Sequence, residues 1–108
     1  MPYQVEFAAS VRSQLSALTA DERARVLAAV ETQLLHEPLV ETRHRKPLRP
    51  NPVAPWELRV GQLPVFYDVR QADPQAGEPQ EALGVVYILA VGRKEGDVLW
   101  IGGKRVQL

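Results

Sequence analysis

The chain has 108 residues, room for one domain over 1–108, and a fold of that size buries roughly two-thirds of its unfolded surface without covalent staples. Zero Cys excludes disulfides, iron–sulfur clusters and thiolate zinc sites. Thirteen Lys plus Arg balance thirteen Asp plus Glu, and zero net charge argues against a uniformly basic nucleic-acid binder. No apolar run approaches the ~18 residues of a membrane span, and Met1-Pro2-Tyr3-Gln4 does not read as a signal peptide.

Tyr3, Val5 and Phe7 alternate with Gln4 and Glu6, the period of a half-buried strand. From Ser10 the period changes to that of a helix, with Val11, Leu15 and Leu18 on one face and Ser10 as its N-cap. Thr19-Ala20-Asp21-Glu22 reads as a capping box that opens a second helix. Asp21 and Glu22 also suit the positive end of the helix dipole. That helix keeps Leu27, Val30 and Leu34 together and stops before Pro38. The two form a helical hairpin.

Residues 38 to 55 hold five of the nine prolines and a basic cluster, Arg43-His44-Arg45-Lys46 with Arg49 close behind. No acidic residue lies between Glu41 and Glu57. Such a segment reads as an extended connection. Trp56, Leu58 and Val60 then alternate with Glu57 and Arg59 as a strand, and Gly61-Gln62 suits a type II′ turn. The return strand runs over about 63–69, pairing Leu58 with Val65, Trp56 with Tyr67, and Arg59 with Pro64. Residues 59 and 64 exchange no hydrogen bonds in that register, so the missing Pro64 donor faces the other neighbour or an open edge.

A polar loop with Asp73-Pro74 and Gly77-Glu78-Pro79 spans about residues 71 to 82. Residues 83–91 are apolar and β-branched, a strand for the centre of a sheet. Residues 92–97 read as a charged turn, 98–101 as a strand, and Gly102-Gly103 as a turn into 104–108. The expected class is α+β: an N-terminal strand, a two-helix hairpin, then an antiparallel sheet of about four strands covered on one face by the helices.

No G-x-S-x-G, Walker A, G-x-G-x-x-G or H-E-x-x-H motif occurs, and with His36 and His44 alone a metal site would rest on scattered carboxylates. His36 suits a helix C-terminus and His44 a solvated loop. The basic features carry the stronger signal, since Lys and Arg compensate phosphate charge. Against it stands the plainer reading of solvated loops. Trp56 and Trp100 have the chemistry of base-stacking platforms, although alternation assigns Trp56 to the core.

Several pieces together resemble RelE/ParE-superfamily toxins of type II toxin–antitoxin systems. They are Tyr3-Gln4-Val5-Glu6-Phe7, Val11 and Leu15, Lys46-Pro47-Leu48, Trp56-Glu57-Leu58-Arg59-Val60-Gly61, Val65-Phe66-Tyr67-Asp68-Val69 and Ala90-Val91-Gly92-Arg93-Lys94-Glu95. The resemblance implies a RelE-like fold in a bacterial cytoplasmic protein, neutralised by a cognate antitoxin. RelE-like members are mRNA interferases that inhibit translation by cutting mRNA in the ribosomal A site, with no metal or other cofactor. ParE-like members poison DNA gyrase without enzymatic activity. In the cleaving branch the RNA 2′-OH attacks the adjacent phosphate while basic side chains stabilise the extra charge.

Position by position, the resemblance makes Arg59 and Lys94 the candidate catalytic residues. Arg43, Arg45, Lys46, Arg49, Arg93 and Trp100 become candidate RNA contacts, Trp100 near the family's base-contacting tyrosine. This endoribonuclease reading requires Arg59, Lys94 and Lys46 to share a face. One departure stands out. The family's Tyr/Phe-Arg-Val after the hairpin turn supplies a phosphate contact, and here the arginine position is Pro64. Glu57 likewise stands where cleaving members often carry lysine. Loss of one preorganised charge typically costs on the order of 10²–10³ in rate, so the expected activity is weak or absent. The alternative is a gyrase-directed toxin, or a degenerate homologue kept as an antitoxin-binding module.

Overall fold

The structure is a computed structural model that describes residues 2–72 and 83–108. The loop motifs Asp73-Pro74 and Gly77-Glu78-Pro79 lie outside the described residues. In chain order the elements are β1 (Gln4–Phe7), α1 (Ala9–Ser16), α2 (Ala20–Leu34), β2 (Arg45–Pro47), β3 (Trp56–Val60), β4 (Leu63–Gln71), β5 (Gly84–Glu95), β6 (Val98–Ile101) and β7 (Lys104–Val106). The fold is α+β, with a sheet in the order β2-β3-β4-β5-β6-β7 and β1 beside β5. All pairings are antiparallel except β1 with β5, which is parallel. Among the described residues no helix is long and apolar enough to cross a membrane.

The sheet has seven strands, more than the expected N-terminal strand plus about four. One addition is β2, inside the segment read as a connection. It holds only three residues and forms the sheet edge, where Pro47 removes no needed ladder donor. The other is β7, the return from Gly102-Gly103. Residues 92–97 are mostly strand and not a turn. Arg93 pairs with Trp100 and Lys94 with Leu99, so β5 runs to Glu95 and reverses at Gly96, whose φ of 63° suits glycine.

The β3–β4 hairpin has the expected register, with Leu58 opposite Val65, Trp56 opposite Tyr67 and Arg59 opposite Pro64. Gly61 supplies φ 59° while Gln62 stays at negative φ, as a type II′ turn requires. That register turns the Pro64 nitrogen toward β5. There the Lys94 N–H reaches past it to the Gln62 carbonyl at 2.8 Å, and the regular ladder starts at Val65 and Val91.

Both helices cover one face. Val11, Leu18, Val26, Val30 and Leu34 pack onto Leu58, Leu63, Val65, Tyr67, Val86, Ile88 and Val91. Full burial of each such side chain is worth roughly 1.5–3 kcal/mol, which makes this cluster the main source of stability. Leu27 is not part of the inward row. It is 40% exposed, and Val26 takes its place with Val30 and Leu34 at i, i+4 and i+8. The capping box is present in full, with Glu22 N–H on Thr19 Oγ1 at 3.1 Å and Thr19 N–H on Glu22 Oε1 at 3.0 Å. The start of α1 differs: its N-cap is Ala8, without a side-chain cap, and Ser10 lies inside the first turn. The strand feeds straight into the helix there, because the Ala8 N–H is held by the Ile88 carbonyl at 2.9 Å.

Candidate functional site

Strand pleating sorts the basic residues by face, since successive side chains point to opposite sides. Lys46, Glu57, Phe66 and Ala90 are cross-strand neighbours across β2, β3, β4 and β5. They occupy the face turned away from the helices. Phe66, Ala54, Ala90 and Leu99 form a second apolar cluster on that face, partly roofed by residues 48–55. A bulge opposite Phe66 and Tyr67 lets β5 keep both clusters paired, with Phe66 facing Ala90 and Tyr67 facing Ile88.

The roofing loop is built around Asn51. Its Oδ1 accepts the Val53 and Ala54 N–H groups at 2.8 and 3.1 Å, and its Nδ2 donates to the Arg49 and Ala54 carbonyls at 2.7 and 2.9 Å. Leu48 N–H closes the base of the loop on the Pro55 carbonyl at 2.8 Å. The loop thereby presents Arg49 from a rigid frame, an Asx-type device. Between loop and sheet lies a cleft of about 710 Å³, lined by Lys46, Arg49, Asn51, Glu57 and Lys94, with Pro47, Leu48, Pro50 and Leu108 as its apolar walls. Glu57 is 2% exposed and holds the Lys94 ammonium, Oε2 to Nζ, at 3.3 Å.

Arg59 follows Glu57 by two residues on the same face of β3 and is exposed. Pro64, its cross-strand partner, is buried beside it. Lys46, Lys94 and Arg59 therefore share one face, with Arg49 above them.

The remaining candidates lie elsewhere. Arg45 pairs with Leu58 and faces the helices; it is buried, and its guanidinium donates to the Gln33 and Val40 carbonyls. It satisfies a free carbonyl in the last turn of α2, a structural task favoured by the helix dipole. Arg43 is exposed ahead of β2 and outside the cleft. Arg93 also faces the helices, with its guanidinium on Glu22 at 2.8 Å. That contact, with the Thr19 N–H, pulls the Glu22 carboxyl down to about 2 and raises the Arg93 pKa.

Trp100 opposes Arg93 on β6 and lines a separate pocket of about 400 Å³ beside α1. Trp56 stacks on Tyr67, ring centres 6.0 Å apart. Tyr67 donates its hydroxyl to the Pro38 carbonyl at 2.7 Å, and burial pushes its pKa well above the usual range. His36 and His44 are both exposed.

Two features of the cleft have no counterpart in the sequence reading, the Glu57–Lys94 pairing and the loop centred on Asn51. Glu57 is the counter-ion of Lys94, a pairing across 37 residues that no local spacing reveals. Asn51 carries no sequence signal beyond its place between prolines in Arg49-Pro50-Asn51-Pro52. Among the described residues no three His, Asp or Glu side chains come together as a metal ion needs. Among side chains the cleft sets three cations against one carboxylate, a surplus of positive charge suited to a phosphate. Comparison with known proteins gives no family model, no curated protein and no solved structure that matches this chain.

Proposed function

We propose that this chain is a RelE-type toxin of a toxin–antitoxin pair, a metal-independent mRNA endoribonuclease of low activity that acts on ribosome-bound mRNA. The observation that carries the reading is the convergence of Lys46, Arg49 and Lys94 on one cleft, on the face that also bears Arg59. In the proposed reaction Lys46 and Arg49 bind the phosphates flanking the scissile bond. Arg59 and Lys94 are the candidate catalytic groups that offset the charge gathering on the phosphoryl oxygens as the 2′-OH attacks. The antitoxin is the expected protein partner, and the cytoplasm the expected site of action.

Two features support low activity. Pro64 stands between Arg59 and β5 where a charged side chain would face the phosphate, and Lys94 is already paired with Glu57. That pairing also favours a second reading, a ParE-like gyrase-directed or degenerate, antitoxin-binding protein that needs no free cation in the cleft.

Induced expression in bacteria with mapping of mRNA 5′ ends separates the two. The first reading predicts cuts at ribosomal A-site codons, increased on the order of 10²-fold by Pro64→Arg. Absence of cuts in both proteins, or gyrase-dependent DNA breaks instead, supports the second.

A further inference from the structure

We infer that Glu57 is an internal counter-ion that withholds Lys94 from an incoming phosphate, so that the resting cleft engages anions through Lys46 and Arg49. The inference rests on the RNA-binding reading above and assigns a regulation to the same cleft. The two partners are unequally placed: Glu57 is 2% exposed and Lys94 32% exposed, their charged atoms 3.3 Å apart. Both residues line the cleft, but the carboxylate is almost wholly buried in its floor while the ammonium is one-third open to it.

Lys46 and Arg49 differ, since among the described residues neither has an acidic partner. For Lys94, binding a phosphate exchanges one anion for another and leaves a buried carboxylate uncompensated, which is unfavourable. Lys46 and Arg49 release mobile counterions instead. Each such contact on a single strand steepens the salt dependence of log K by about 0.7.

The test uses a short 2′-O-methyl oligoribonucleotide, which cannot be cut, titrated by fluorescence anisotropy over a series of KCl concentrations. Glu57→Gln keeps the shape and removes the charge. It is expected to bind more tightly than the wild type, with a slope steeper by about 0.7. The double variant Glu57→Gln/Lys94→Gln is expected to return to the wild-type slope. Lys94→Gln alone, which keeps a donor for the buried carboxylate, is expected to match the wild-type slope too and serves if Glu57→Gln is poorly folded.

An unchanged slope in folded Glu57→Gln, or a loss of about 0.7 in Lys94→Gln, overturns the withholding role. If wild-type binding still depends on Lys46 and Arg49 in that case, the RNA-binding reading stands. If none of the proteins binds the oligonucleotide, both fall.

Discussion

Arg45 and Lys46 are adjacent, equally basic, and do opposite things. Because β2 is a strand, one side chain enters the helix-side core and the other enters the cleft. Replacing Arg45 by Ala removes both guanidinium hydrogen bonds and leaves the Gln33 carbonyl unmet at the end of α2. The expected loss is about 3 kcal/mol in a urea titration, with the RNA salt slope of the folded fraction unchanged. A Lys at that position restores little, because one ammonium cannot reproduce the planar fork. A cleft role for Arg45 would instead show as a lower salt slope at unchanged stability. In the sequence the run 43–49 reads as one basic group, since a three-residue edge strand ending in Pro carries too little periodicity to separate its faces.

At the scale of elements, Glu22 ties the start of α2 to β5. It caps the helix through Thr19 and pairs with Arg93 at 2.8 Å. Its carboxyl falls from an ordinary 4.5 to about 2 in the folded chain, mainly through the Arg93 hydrogen bond. A lowered folded-state value means the contribution is fully present above pH 4.5 and is lost as pH falls toward 2. Thermal melts of wild type and Glu22→Gln should therefore differ most above pH 4.5 and converge near pH 2. A constant gap across that range contradicts the link.

The capping box was legible because its four residues are contiguous and its bonds are local. The inward row of α2 was legible only to within one residue. Val26 and Leu27 are neighbours of similar character, and the packing against the sheet decides between them. The extension of β5 through Gly92-Arg93-Lys94-Glu95 was hidden by its composition, since charged residues on a two-sided strand resemble a turn until the partner strand is known. The β3–β4 register was legible because a two-residue loop leaves one pairing open to the chain.

Over the whole molecule, zero net charge conceals a sorted surface. Lys46, Arg49, Arg59 and Lys94 lie on the face away from the helices, while Arg93 is neutralised by Glu22 on the other side. Sequence alone groups these cations by proximity along the chain; the sheet regroups them by parity and register. The sequence left open whether Lys46, Lys94 and Arg59 share a face; in the fold they do, with Arg59 outside the cleft lining, and the pleat sets Arg45, Arg93 and Trp100 on the other side. The second apolar cluster around Phe66 supports this face from beneath, and it was not foreseen because one layer of helices accounted for a single core.

The proposed function has RNA engaged by this cleft and not by the helix-side pocket of Trp100. Amide chemical-shift mapping of the isotope-labelled protein with a short single-stranded RNA tests it directly. Shifts are expected to concentrate at Lys46, Leu48, Arg49, Asn51, Glu57 and Lys94 and to weaken as KCl rises. Shifts confined to Arg93, Trp100, Gly102 and Gly103, or none at all, would contradict it.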